Sequence, residues 1–173
     1  MSALYFAYGS NMSARQMWRR CPGARAYGVG RLDGWRFQIT AGAGANIVRA
    51  PGACVYGVVW RVEARHLAQL DRWEGVAARR YRRKRLGVEV AGVIRPMVAY
   101  VSERHHAGVG KVNYMLSAVL PGARAFALPP AFIAELSSWV PVRPIGERVR
   151  AYRGRRSGGS REVRRAKGRR PTL

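Results

Sequence analysis

The sequence predicts an α+β domain in which a mixed β-sheet can close into a small barrel with flanking helices. Three observations support this prediction. Five apolar segments have the composition of buried strands. The helical segments are inserted singly among these strands instead of alternating strictly with them. The chain of 173 residues, 48% of them hydrophobic, is long enough for one substantial core and too short for two comfortable ones.

The N-terminal segment "LYFAYGSNM" contains the first strand, predicted over 3–8 and rich in aromatic residues. It breaks at Gly9, Ser10 and Asn11, residue types that form turns and cap helices. A short helix is expected over 13–20, and it ends there because the following Pro-Gly pair cannot continue it.

The middle of the chain supplies four more strands and one helix. The segments are the strands "GWRFQIT" (34–40) and "CVYGVVWRV" (54–62), the helix "RHLAQLDRWEG" (65–75), and the strands "YRRKRLGVEV" (81–90) and "VIRPMVAYVS" (93–102). A turn near Ala91 and Gly92 joins the last two strands. The dense basic residues of the fourth strand predict a charged edge strand, and Pro96 places the fifth at an edge or introduces a bulge.

Two helices are expected near the end of the domain, over 110–120 and 129–140. The five tryptophans are expected to belong to the core more than to a base-stacking surface: Trp18, Trp35, Trp60, Trp73 and Trp139. The histidines show no recognised metal-ligand spacing, and the adjacent His105 and His106 are predicted to lie in a loop. A metal cofactor is therefore not expected.

The hydropathy of the sequence and its cysteine usage predict a cytoplasmic protein. No window approaches the roughly 18 uninterrupted apolar residues of a membrane helix, and strand sequence begins too early for a secretory signal. Cys21 and Cys54 lack metal-type spacing, so they are expected to be reduced, structural thiols. Oligomeric state is not specified by the sequence.

The charge is concentrated at the C-terminal end. The chain carries +23, and the stretch 148–173 holds eleven basic residues and one acid, Glu162, which gives +10. Few large apolar residues occur there, so the sequence predicts a domain over 1–147 and a basic, disordered tail over 148–173. Such a tail can contact RNA, DNA or another polyanion without reading sequence. The alternative is a solvated, arginine-rich tail without a partner.

The helix at 65–75 carries a carboxylate in an apolar stripe. Leu67, Leu70 and Glu74 fall at i, i+3 and i+7, which predicts that Glu74 is at least partly buried. It also precedes Gly75, a residue suited to a left-handed helix cap, so it meets the negative end of the helix dipole. Burial and the dipole both raise the pKa of Glu74, as a general base requires. An ion pair with Arg72, Arg79 or Arg80 is the structural alternative.

Taken together and in order, three motifs resemble the γ-glutamylcyclotransferase superfamily, with its AIG2-like fold. They are "LYFAYGSNM", "APGACVYGVVWRV" and "LDRWEGV", and the resemblance spans 4–136. It implies a small mixed β-barrel with flanking helices, no cofactor, and cleavage of a γ-glutamyl derivative to 5-oxoproline and a free amine. The sequence offers no competing G-x-S-x-G nucleophile motif.

The resemblance also implies roles for individual residues. Glu74 takes the family's acid/base position, and Tyr100 matches a tyrosine that lines the pocket. The family's substrate-binding loop corresponds to Tyr5, Phe6, Ala7, Tyr8, Gly9 and Ser10, and the resemblance extends to Asn11, Tyr81 and Tyr114 around the same cavity. Small residues after the first strand would let backbone N–H groups face a substrate carboxylate or oxyanion. The alternative function is a non-catalytic member of the fold that binds nucleic acid or another polyanion through its basic surface and tail.

Overall fold

The computed structural model describes residues 2–42, 44–103, 107–108 and 111–141. Five strands form a closed barrel in the order β1, β3, β2, β4, β5. Their bounds are Ser2–Ala7 (β1), Arg25–Ile39 (β2), Ala45–Glu63 (β3), Arg82–Val90 (β4) and Val93–Val101 (β5). Neighbours pair antiparallel except β1 and β5, which pair parallel at Tyr5 and Val98. The predicted α+β class and mixed barrel are confirmed.

Helices connect and flank the strands. A 3₁₀ turn over Ser10–Met12 leads from β1 into α1 (Ala14–Arg20), and α2 (Ala64–Glu74) joins β3 to β4. The remaining helical segments are α3 (Val112–Tyr114), a π-helical turn (Met115–Val119), α4 (Leu120–Ala125) and α5 (Pro130–Ser138). The predicted helix over 110–120 thus continues further, because Pro121 occupies the first turn of α4, where its missing N–H is not needed.

Strands β2 and β3 are longer than the sequence predicted. The prediction began β2 at Gly34 and β3 at Cys54. It did so because glycines and a Pro-Gly pair near these positions usually end strands. In the structure both strands run through these positions. Register shifts between Ala26 and Gly28 and between Asp33 and Trp35 accommodate the irregular residues as bulges.

The prediction of an edge position for β4 is wrong. Strand β4 lies between β2, which it meets at Arg31 and Glu89, and β5, along which it pairs over its whole length. Pro96 causes no bulge, because it lies opposite Gly87 within a continuous register. Nor does β5 lie at an edge, since it also pairs with β1. The turn at Ala91 and Gly92 has positive φ at both residues, as a tight hairpin requires.

Helix α2 is fixed at both ends, and this placement sets the position of Glu74. At its start, the Glu63 N–H donates to His66 Nδ1 (3.2 Å), so Nε2 carries the proton and donates to the Pro22 carbonyl (2.9 Å). At its end, Gly75 adopts the left-handed conformation (φ 65°) and its N–H returns to the last turn. Glu74 is therefore held in the final turn of a rigid helix.

The tryptophan prediction holds in part. Trp35 and Trp60 are buried and Trp139 packs against the core. Trp18 and Trp73 are instead 77% and 54% exposed, so assigning them to the core is wrong. Trp18 lies on α1 and Trp73 on α2, and residue type alone did not separate these exposed positions from core positions.

Residues 1–141 form one compact unit. The predicted tail over 148–173, the boundary after 147 and the loop histidines His105 and His106 lie outside the described residues. Within the described ranges, the helices are too short or too polar to span a membrane. Cys21 and Cys54 are free thiols, and burial raises the pKa of Cys21 to about 11.

Candidate active site

Two adjoining chambers open beside the end of β1. The inner chamber, of about 40 Å³, is lined by Tyr5, Tyr8, Gly9, Ser10, Asn11, Ala45, Glu74, Tyr81, Tyr100 and Tyr114. The outer chamber, of about 260 Å³, is lined by Ser10, Arg20, Thr40, Gly42, Gly44, Trp73, Glu74, Arg80, Tyr81, Ser102 and Tyr114. Four residues line both, so these four mark the junction: Ser10, Glu74, Tyr81 and Tyr114.

Glu74 is the carboxylate of this site. Burial raises its pKa above the ordinary value, and the charges of Arg20 and Arg80 and a hydrogen bond from Asn11 counteract part of that increase. The structure thus leaves a carboxyl group that ionises yet accepts protons more readily than an exposed glutamate. Of the three arginines expected as partners, only Arg80 influences the Glu74 pKa, and Arg20, which the sequence did not indicate, has the larger effect.

Asn11 connects Glu74 to Arg20. Its side-chain Nδ2 donates to Glu74 Oε1 (3.2 Å) and to the Tyr5 hydroxyl (2.8 Å). Its Oδ1 accepts a hydrogen bond from Arg20 Nη1 (2.8 Å), and the Arg20 guanidinium lies 4.7 Å from the centroid of the Trp73 ring. Because the arginine can only donate, it fixes the amide with its NH₂ group toward the carboxylate.

Tyr100 lines the inner chamber, and its hydroxyl is engaged by helix α2, which also carries Glu74. The hydroxyl donates to Asp71 Oδ1 (2.8 Å), and Arg83 makes a two-pronged ion pair with the same carboxylate. The Tyr8 hydroxyl donates to the Tyr100 main-chain carbonyl. Asp71 and Arg83 therefore hold the ring of Tyr100 in place, a role that the sequence did not reveal because the three residues come from α2, β4 and β5.

The loop after β1 differs from the prediction in one respect. The Ser10 amide was expected to be free for a ligand, but it donates to the Tyr114 hydroxyl (3.3 Å). Gly9 is needed for close packing: a Cβ there would lie 2.8 Å from the Ala45 Cβ and 3.1 Å from the Tyr114 hydroxyl oxygen. Because Gly9 has no side chain, the Tyr114 hydroxyl can approach the backbone of the loop.

Most of the predicted site residues lie together. Nine residues singled out by the sequence, or by the resemblance, line the chambers, whereas Phe6 and Ala7 are buried in the core and line neither. Tyr5 and Phe6 are neighbours in β1 and so lie on opposite faces of the strand, whereas Tyr8 follows the end of β1 and reaches the chamber from the loop. Sequence reasoning missed Arg20, Trp73 and Ala45, whose positions depend on long-range packing.

Metal ligation has no support among the described residues. No three or more His, Cys, Asp or Glu side chains in those ranges come close enough together to hold an ion. Among the chamber-lining residues, Glu74 is the one carboxylate, and its neighbours are hydroxyls, an amide and guanidinium groups.

The chain matches the model of a known family. The model of the family described as "Gamma-glutamyl cyclotransferase, AIG2-like" matches residues 5–127, which is more than half of the chain. The chain belongs to this family, and the predicted family is confirmed.

Individual relatives agree with this assignment. The chain is 37% identical over 90 residues to gamma-glutamylcyclotransferase from Bos taurus and to that from Homo sapiens, matching 46% of this chain and 48% of each relative. The chain thus spans about half the length of these curated relatives. A solved structure of gamma-glutamyl cyclotransferase is 26% identical with a TM-score of 0.77, and the match covers 85% of this chain and 93% of that one.

Proposed function

We propose that this protein is a γ-glutamyl cyclotransferase that releases 5-oxoproline and a free amine from a γ-glutamyl derivative. The observation that carries the proposal is a partly buried carboxyl group, Glu74, at the junction of the two chambers in a member of this family. Its raised pKa suits a group that must accept and return a proton near neutral pH.

The reaction needs no external nucleophile. The α-amine of the glutamyl group attacks its own δ-carbonyl carbon, so that an N–C bond forms and the amide C–N bond breaks. Glu74 takes the proton that the α-amine loses and returns it to the departing amine. Because the attack is intramolecular, holding the glutamyl chain in a folded conformation supplies much of the acceleration.

The rigid inner chamber supports this holding role. Tyr5 and Tyr100 meet edge to face, with centroids 5.7 Å apart, and Tyr8 is tied to the Tyr100 backbone. Each of these side chains is fixed by a hydrogen bond or by ring packing, so the chamber wall is already ordered before substrate arrives. We place the reacting end of the substrate here.

The charge of the outer chamber indicates the class of leaving amine. Arg20 and Arg80 both line it, and among its described lining residues the one carboxylate is Glu74 at the inner end. Arg80 packs against Gly75, where a side-chain Cβ would lie 2.1 Å from its Nε. Guanidinium groups bind carboxylates well. We therefore infer that the preferred leaving group is an amine that carries a carboxylate.

A substrate panel scored for 5-oxoproline release tests this proposal. It pairs each γ-glutamyl amino acid with its carboxamide and includes a γ-glutamyl alkylamine. We expect turnover of the panel and a lower KM for the carboxylates than for their amides. Turnover with equal KM values would show that the guanidinium groups do not select a carboxylate on the leaving amine. If no member of the panel released 5-oxoproline, the proposed activity would be contradicted.

A further inference from the structure

The outer chamber receives the leaving amine if the proposed function is correct, and its volume bears on what that amine carries. The volume of about 260 Å³ exceeds the roughly 150 Å³ of a protein cavity that accommodates benzene. The leaving amine can therefore carry a bulky side chain in addition to the carboxylate that Arg20 and Arg80 favour. Volume does not choose among bulky side chains, so the choice depends on the chemistry of the chamber wall.

The apolar surface of this chamber comes from aromatic rings. Among its described lining residues, the aromatic ones are Trp73, Tyr81 and Tyr114, and none is Leu, Ile, Val, Met or Phe. The other lining residues are small, polar or charged. An aromatic ring prefers an offset-stacked or edge-to-face contact with another ring, and such a pair is worth more than the area it buries. The wall therefore favours an aromatic side chain over an aliphatic one of equal volume.

Trp73 is the most exposed of these three aromatic residues. It is 54% exposed, whereas Tyr81 and Tyr114 are half-buried and their hydroxyls are bonded to the backbone. An exposed tryptophan leaves a large apolar surface in water, and such surface at a cleft often belongs to a binding site. Trp18 is 77% exposed but lines neither chamber. Its place in the chamber wall therefore distinguishes Trp73 from an ordinary exposed tryptophan.

Arg20 holds the ring of Trp73 in place. Its guanidinium lies over the ring, 4.7 Å from the centroid, and its Nη1 donates to Asn11 Oδ1 (2.8 Å). The attraction between a cation and an aromatic face orders the ring before substrate arrives. Trp73 also directly precedes Glu74 in the last turn of α2, so the helix that carries the proposed base carries the ring as well. Arg20 therefore brings a carboxylate-binding group and an aromatic surface together in one wall.

We propose that the preferred substrate is a γ-glutamyl derivative of an aromatic amino acid, and that Trp73 determines this preference. The aromatic side chain packs against Trp73 while the carboxylate of the same amino acid meets Arg20 and Arg80. This inference rests on the proposed function. The bonds that form and break are those of the proposed reaction, and the aromatic amino acid leaves as the free amine. Trp73 transfers no proton and acts by binding the leaving group.

The first test measures kcat/KM for γ-glutamyl-phenylalanine, γ-glutamyl-cyclohexylalanine and γ-glutamyl-alanine. All three keep the carboxylate, and cyclohexylalanine supplies a ring of similar volume without an aromatic face. We expect kcat/KM for the phenylalanine substrate to exceed that for alanine by about tenfold and that for cyclohexylalanine by about twofold to tenfold. Release from all three with no preference for phenylalanine would overturn the inference alone. Release from none would contradict the proposed function.

The second test assigns the preference to Trp73, with Trp18→Leu as the matched control. The readout is the ratio of kcat/KM for the phenylalanine substrate to that for the cyclohexylalanine substrate within one variant. Any effect of the lost Arg20 contact on Glu74 acts on both substrates and cancels in this ratio. We expect the ratio to fall to about one in Trp73→Leu, and to be retained in Trp73→Phe and Trp18→Leu. An unchanged ratio in Trp73→Leu, or an equal fall in Trp18→Leu, would overturn the inference.

An NMR measurement detects the contact without turnover and with Trp73 in place. Glu74→Gln, with its tryptophan indole groups labelled with ¹⁵N, is titrated with γ-glutamyl-phenylalanine and with γ-glutamyl-alanine. We expect the phenylalanine ligand to shift the Trp73 indole resonance in a saturable way, more than the alanine ligand does, and to leave the Trp18 resonance unchanged. Equal shifts with both ligands, or no shift, would overturn the contact. A shift in this variant with no release of 5-oxoproline by the wild type would contradict the proposed activity and not the contact.

Discussion

Replacing Arg20 with methionine should shift the pH dependence of catalysis. The side chain fills the space of the arginine stem but removes its charge and its hydrogen bond to Asn11 Oδ1. Both changes remove influences that lower the pKa of Glu74, the first directly and the second by releasing the Asn11 amide. Since Glu74 must be ionised to accept a proton, the acidic limb of the kcat/KM profile should move to higher pH.

The cost in stability follows from the same contacts. Loss of a hydrogen bond to a charged group costs about 1.5–3 kcal/mol, and a cation–π contact at an exposed site contributes about 0.5–1 kcal/mol. Arg20 is half-buried, so solvent screens part of both contributions. We therefore expect a loss of about 1–2 kcal/mol, or a Tm lowered by about 3–6 °C.

The assay is a pH profile of 5-oxoproline release together with thermal unfolding, with Arg19→Met as the control. Arg19 is an exposed neighbour on the same helix, and its replacement removes an identical charge. Glu74 faces charged or titratable groups from every element around it: Arg20, Arg80, Tyr5, Tyr8, Tyr81 and Tyr114. If the acidic limb moved equally in both variants, the effect would be one of general charge and the Arg20–Asn11 contact would have no special role.

Two further predictions address the loop and the tail. Gly9→Val places a Cβ 2.8 Å from the Ala45 Cβ, so we expect it to displace Tyr114 and lower both the Tm and kcat, whereas an unchanged Tm and kcat would show that the loop has spare room. Deleting about the last twenty residues should leave the Tm and turnover of small neutral substrates nearly intact while weakening heparin and RNA binding. A fall in Tm as large as that of a core mutation would show that the tail packs.

Much of the fold was predictable because its signals are local. The first strand, the helix capped by Ser13, the helix ending at Gly75 and the turn at Ala91 and Gly92 each follow from a few neighbouring residues. The first halves of β2 and β3 were not predictable, because bulges and cross-strand pairing override glycine and proline signals that normally end strands. Barrel closure likewise gave β4 a second neighbour that its basic sequence did not indicate.

The candidate site also contains some residues that the sequence could identify and others that it could not. Glu74 could be identified from the apolar stripe with Leu67 and Leu70, since helical periodicity reports burial directly. Arg20 and Asp71 could not be identified, because their roles depend on contacts with Asn11 and Tyr100 that only the folded chain creates. Tyr114 was named through the resemblance, but the contacts of its hydroxyl with the Ser10 and Ala45 amides exist only in the folded chain.

The central claim is that Glu74 transfers the proton during ring closure, and Glu74→Gln tests it most directly. The amide keeps the volume of the side chain but cannot accept the proton. Burial raises the pKa of Glu74, so the folded protein binds more protons than the unfolded chain between the two pKa values, and stability falls as pH rises through that window. Glutamine escapes this loss, and the variant should be as stable as wild type at neutral pH or slightly more stable.

The measurement is kcat for 5-oxoproline release by wild type and Glu74→Gln at saturating γ-glutamyl substrate. General-base catalysis is typically worth about 10²–10⁴-fold, which corresponds to about 3–5 kcal/mol of barrier at about 1.4 kcal/mol per factor of ten. We predict a fall in kcat of that size with KM and folding retained. Release of 5-oxoproline by the variant at the wild-type rate would contradict the account.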